Sequence, residues 1–156
     1  MGELMEKKLL TIFGASGLVG SSILREALDR GYHVNGTLRD LENQDRITRL
    51  KSLPLGKNAT FFSADMADIS SLDNPLINSD AAFVCCLIPT YKGFDGTPAR
   101  ELDDERGYNE IIKPTVDGCL NILKSAKINN VKNILICSST SSTNPIPPVL
   151  VKNELD

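Results

Sequence analysis

Three glycines, Gly14, Gly17 and Gly20, stand between an apolar run over residues 9–13 and an apolar stripe of helical period over 17–30. Their chemistry is that of the backbone. A glycine at the end of a strand permits a tight turn, and a second lets backbone N–H groups approach a pyrophosphate with no Cβ in the way. The third lets the following helix pack close to the sheet, while the helix N-terminus faces the anion. Ala15, Ser16, Leu18 and Val19 fill the intervening positions, so 14–20 as a whole is the candidate phosphate-binding turn. A glycine-rich turn without a ligand is the competing reading. The strand-turn-helix context near the start of the chain argues for dinucleotide binding instead.

A second polar feature follows at the end of the next strand-like run, where Arg39 precedes Asp40. An acidic residue there accepts from the ribose 2′-OH of NAD, whereas an arginine pairs with the 2′-phosphate of NADP. Arg39 therefore places NADP ahead of NAD. The bland alternative is a surface arginine paired with Asp40 or Glu42. The only histidine, His33, stands at a strand start and reads as a surface residue, not a base. Cys85, Cys86, Cys119 and Cys137 form no Cys-x-x-Cys pair and lie in apolar segments. They read as reduced core thiols of a cytoplasmic protein, with no metal site.

The elements that must hold these residues alternate between short apolar runs and helical periods. Strands are expected over 9–13, 32–38, 59–63, 81–88 and 134–137. Helices are expected over 17–30, 41–53 and 108–129, with a turn or short helix at 65–72 and a loop over 91–107. Pro114 must sit in the first turn of its helix or kink it. The run 81–88 is apolar throughout, as a central parallel strand covered on both faces should be. The alternation implies an α/β fold, a doubly wound parallel Rossmann sheet of about five strands in the order 3-2-1-4-5.

The Gly-x-x-Gly-x-x-Gly spacing resembles the extended branch of the short-chain dehydrogenase/reductase superfamily, which includes the NAD-dependent epimerases and dehydratases. Thr37-Leu-Arg39-Asp40 is similar to the NADP-selective motif of its dihydroflavonol 4-reductase and cinnamoyl-CoA reductase-like members. Ala64-Asp65-Met66 resembles that family's turn after the third strand, and 109–124 its signature helix, which tolerates the proline. Residues 130–139 resemble the fifth strand and the serine after it. The resemblance implies that Asp65 meets the adenine amino group beside Met66, and that Leu87 presses on the nicotinamide side. It also implies that Ser139 is the catalytic serine, with Ser138 an off-by-one competitor. The family usually carries a histidine and a small residue in the strand that here ends Cys85-Cys86-Leu87-Ile88-Pro89.

Carbonyl reduction in that family also needs a Tyr-x-x-x-Lys pair downstream of the serine. The tyrosines here are Tyr32, Tyr91 and Tyr108, all upstream, and Lys152 has none before it. Tyr108 and Lys113 are mis-spaced, because one residue turns a helical side chain by about 100°. The expectation is therefore an incomplete NADP-binding domain over 1–139 with a Ser/Pro-rich tail over 140–156. Such a chain resembles the N-terminal half of a dihydroflavonol-reductase-like oxidoreductase, binding cofactor without turnover. A carbonyl substrate is then expected only in an intact relative, and an exposed fifth-strand edge would permit self-association. A nucleotide-binding pseudoenzyme or partner-binding module, and an NAD-dependent epimerase or dehydratase fragment, are the alternatives.

Composition excludes other classes. Across 156 residues, 17 Lys+Arg against 20 Asp+Glu leave a net charge of −3, which offers no general pull on nucleic acid and no basic face for a membrane. The longest apolar run, 81–88, is far below the roughly 20 residues of a spanning helix. The first eight residues have no apolar signal core, and Glu6 stands where a myristoylation signal wants Ser or Thr.

Overall fold

The computed structural model describes residues 8–54, 56–86 and 92–138. Five parallel strands, β1 (Leu9–Phe13), β2 (His33–Leu38), β3 (Ala59–Ser63), β4 (Ala81–Val84) and β5 (Asn133–Ile136), form one sheet in the order β3-β2-β1-β4-β5. The order reverses between β1 and β4, leaving a crevice at the carboxyl ends of the strands. This is the Rossmann topology implied by the alternating pattern.

Helices cover both faces. α1 (Leu18–Asp29) and α2 (Gln44–Lys51) lie on one side, where Ile12, Val34 and Leu38 of the sheet pack with Leu24, Leu28, Ile47 and Leu50. α3 (Asp73–Leu76) and α5 (Lys113–Ile128) lie on the other, where Phe13, Ala82 and Val84 pack with Leu76, Ile122 and Ala126. Successive strand residues serve opposite clusters, as Ile12 and Phe13 do, because Cβ atoms alternate across a sheet. Among the described residues no helix is long and apolar enough to cross a membrane.

Four details depart from the sequence pattern. The helix expected over 41–53 is shorter, because the Asn43 side chain accepts from the Arg46 N–H at 3.2 Å and starts it at Gln44. The expected loop over 91–107 contains a 3₁₀ turn at Ala99–Glu101 and the short helix α4 (Asp104–Gly107), capped by Asp103 onto the Arg106 N–H at 2.8 Å. The expected 108–129 helix begins as a π turn over Tyr108–Ile112 and becomes α-helical at Lys113. A proline ring meets the carbonyl four residues earlier, and the widened π turn just before Pro114 accommodates it. The four cysteines are free, as expected, yet half-buried at the carboxyl end of the sheet and on α5, where core positions were expected.

Candidate functional site

The turn after β1 is fixed by contacts that its glycines alone allow. Gly14 has φ +82°, and a Cβ there would lie 3.0–3.1 Å from Cys86 and the Cys85 carbonyl carbon. A Cβ on Gly20 would lie 2.2 Å from the Gly14 carbonyl oxygen. Gly20 therefore lets α1 close onto the turn itself, a tighter partner than the sheet. The Gly17 N–H donates to that same Gly14 carbonyl at 3.0 Å, and Gly17 starts α1 in extended geometry.

Thr37, at the end of β2, clamps the turn from the side. Its hydroxyl accepts from the Gly14 N–H at 3.2 Å, and its carbonyl accepts from the Ala15 N–H at 3.0 Å. No side chain caps α1, and its first turn carries no acidic residue. First-turn N–H groups have no intrahelical acceptor, so the end of α1 leaves backbone donors with a chemistry that suits an anion.

Beside this terminus lies a cavity of about 840 Å³, within the roughly 300–1,000 Å³ of ordinary small-molecule sites. Gly14, Ser16 and Gly17 form one wall, and Cys85 and Cys86 adjoin it beside Gly14. The outer wall is charged: Arg39 and Asp40 follow β2, while Asp45, Arg46 and Arg49 come from α2. Asp65 and Met66 line it from the turn after β3.

That turn is tied at both ends. The Asp65 carboxylate accepts from the Ala67 N–H at 2.9 Å, and the Asp65 N–H donates to the Ser71 hydroxyl at 3.0 Å. Met66 is buried against α5, where its carbonyl accepts from Asn121 Nδ2 at 3.1 Å and its side chain lies over Gly118.

Of the residues singled out in the sequence, Gly14, Ser16, Gly17, Arg39, Asp65 and Met66 line the cavity together. Ala15 is buried beneath the turn, with its N–H already committed to Thr37. Leu18 is 88 % exposed and Val19 is exposed on the first turn of α1, so both offer backbone and no side-chain contact. Gly20 packs behind the turn. Leu87 and Ser139 lie outside the described residues. Among the described residues, no ion pair joins Arg39 to Asp40 or Glu42.

Sequence reasoning missed Thr37, Arg46, Arg49, Gly118 and Asn121. Arg46 and Arg49 carried a signal: three residues apart on one helix, they lie on a shared side next to Leu50. Thr37 and Asn121 act through contacts between distant segments, for which the local sequence holds no cue.

Burial pushes the Cys86 thiol up to about 11 and the Cys85 thiol up to about 12, so both are neutral in the cavity wall near pH 7. Among the described residues no group of His, Cys, Asp and Glu is placed to hold a metal ion.

Known proteins share the fold and part of the sequence. The chain matches the NmrA-like family over residues 6–95. It is 35% identical over 133 residues to dihydroflavonol 4-reductase of Solanum lycopersicum, covering 84% of this chain and 32% of the relative. It is 30% identical over 137 residues to an anthocyanidin reductase ((2S)-flavan-3-ol-forming) of Vitis vinifera, covering 87% of this chain and 37% of that protein. The chain thus spans about a third of the length of the curated relatives it matches. The solved structure of ElxO with NADP bound superposes with a TM-score of 0.70 at 22% identity, over 88% of this chain and 58% of ElxO, a likeness of fold. The chain belongs to the NmrA-like family.

Proposed function

We propose that the cavity takes a nicotinamide dinucleotide, NADP in preference to NAD, and that the chain is the cofactor-binding part of a carbonyl-reducing oxidoreductase akin to its relatives. One observation carries this reading. A single cavity joins an uncapped helix terminus, a wall without Cβ atoms and three exposed arginines. The residues fit the cofactor's charges. The first-turn amides of α1 would hold the pyrophosphate, Arg39, Arg46 and Arg49 the 2′-phosphate, and Asp65 the adenine amino group.

When bound, the nicotinamide supplies a hydride. This chain's described residues bind and orient the dinucleotide, and Cys85 and Cys86 keep the wall neutral. Ser139, orienting a substrate carbonyl, and Leu87, against the nicotinamide, belong to the same reading. Tyr-x-x-x-Lys does not occur in these 156 residues, and we infer cofactor binding without turnover for this polypeptide by itself.

Titrating NADP and NAD into wild type and Arg39→Ala tests the assignment. A lost charged hydrogen bond is worth about 1.5–3 kcal/mol, so NADP should bind roughly tenfold or more weakly in the variant while NAD is unchanged. Equal affinities in both proteins would overturn the role of Arg39.

A further inference from the structure

We propose that Cys85 and Cys137 form a redox-modification site, at which a hydroperoxide oxidises the two thiols to a reversible disulfide in the wall of the cavity. The strands bring the pair together. The β4–β5 ladder ends at Val84 and Ile136, and the Cys137 N–H extends it by donating to the Val84 carbonyl at 3.0 Å. Cys85 and Cys137 therefore face each other one residue beyond the last register pair. Paired strands lie about 4.8 Å apart, within the Cα separation of about 4.4–6.8 Å that a disulfide spans.

The side chains already meet. The Cys137 thiol donates to the Cys85 sulfur at 3.7 Å, so closing to the roughly 2.05 Å of a disulfide needs rotation about the Cα–Cβ bonds and no strand displacement. Both residues are half-buried, and Cys85 lines the cavity, which gives a small oxidant a path to the pair.

The other two thiols are set apart by the alternation of the sheet. Cys85 packs with the cluster under α1, whereas Cys86 and Cys119 pack with the cluster under α5, on the opposite face. Proximity to the turn gives the site its interest: a Cβ on Gly14 would touch the Cys85 carbonyl carbon, so a bond at Cys85 adjoins the phosphate-binding backbone.

The chemistry balances with one hydroperoxide. One sulfur attacks a peroxide oxygen, breaking the O–O bond and becoming a sulfenic acid as the first water (or alcohol) leaves. The other sulfur then attacks the sulfenic sulfur, and its proton departs with the hydroxyl as water. Two thiols lose two electrons and two protons, and the peroxide gains them. Burial pushes the Cys85 thiol up and so slows whichever step has its sulfur as the attacking one.

Peptide mapping after hydrogen peroxide treatment tests the proposal without any cofactor, so its outcome is independent of the dinucleotide reading. Cleavage after lysine and arginine puts Cys85 and Cys86 in peptide 58–92, Cys137 in 133–152 and Cys119 in 107–124. The expected product joins 58–92 to 133–152, is two hydrogens lighter than their sum, and separates with dithiothreitol. Cys85→Ser and Cys137→Ser should each abolish the link, and Cys86→Ser should retain it. A link to 107–124, loss of the product in Cys86→Ser, or sulfinic and sulfonic acids without a cross-link would overturn it. Fragmentation of the cross-linked wild-type peptide, which separates Cys85 from Cys86, decides even where a variant folds poorly.

Discussion

The two flanks of the sheet are built to different standards. On the β3–β2–β1 flank, backbone polar groups are tied across segments. Thr37 holds Gly14 and Ala15, the Ala64 N–H donates to the Leu38 carbonyl at 2.9 Å, and Asn121 holds Met66. On the β4–β5 flank, Leu135 is 53 % and Ile136 42 % exposed, and Ile112 of the π turn continues an exposed row through Val116 and Leu120 of α5. The first flank keeps charged side chains unpaired around a cavity whose backbone is over-determined. The second keeps apolar side chains uncovered, and Cys85 and Cys86 are what it gives to that cavity. Preorganisation is concentrated where the dinucleotide is proposed to bind, which is what lowers the ordering cost of binding.

The comparison breaks most readily at Gly20. In Gly20→Ala the new Cβ meets the Gly14 carbonyl oxygen, backbone against backbone, and neither can yield without opening the turn. Overpacking of this kind costs about 1–3 kcal/mol, and at about 2–4 °C per kcal/mol the melting temperature should fall by several degrees. Dinucleotide affinity should drop at least tenfold, read by fluorescence titration. An unchanged affinity would show that the turn does not hold the ligand.

A smaller effect is expected at Gly118→Ala. Its Cβ would lie 2.3 Å from Met66 Cε, but the far end of a methionine can swing aside. Stability should fall by about 1 kcal/mol and affinity a few-fold, measured by thermal melting and calorimetry. A tenfold loss of affinity would mean that Met66 is held as rigidly as the glycine turn.

The smallest effect lies on the other flank. Arg106 pairs with Asp95 at 3.0 Å and Glu110 at 2.7 Å, and the Glu110 carboxylate accepts from the Phe94 N–H at 2.7 Å. The Thr97 backbone and hydroxyl, then Arg106, hold the Asp95 carboxyl at about 2. A lowered folded-state pKa gives stability that is present above the ordinary carboxylate value and lost as pH falls through about 2. The tether is therefore intact between pH 7 and pH 4, where it should leave the melting temperature nearly flat, and because the pair is exposed its loss at lower pH should cost little. A steep fall in that interval, followed by circular dichroism, would refute the tether.

Much of this was legible in the chain. β1 begins and ends where its apolar run does, because an interior strand is written in consecutive apolar residues and Gly14 punctuates it, and β3 keeps the bounds expected for it. The glycine turn and Arg39 were readable for the same reason, since their function is local. α4 was not legible: four charged and small residues show no period, and a single cap at Asp103 starts them. The π turn before Pro114 likewise has no repeat to reveal it. Thr37, Gly118 and Asn121 became site residues only when the strands and α5 were brought together.

The central claim is that the charged outer wall of the cavity recognises a 2′-phosphorylated dinucleotide. Isothermal titration of the wild-type chain with NADP and NAD at one salt concentration tests it most directly. The account predicts saturable one-to-one binding of both, with NADP at least tenfold tighter. Equal affinity for the two, or no saturable binding of either, would contradict it.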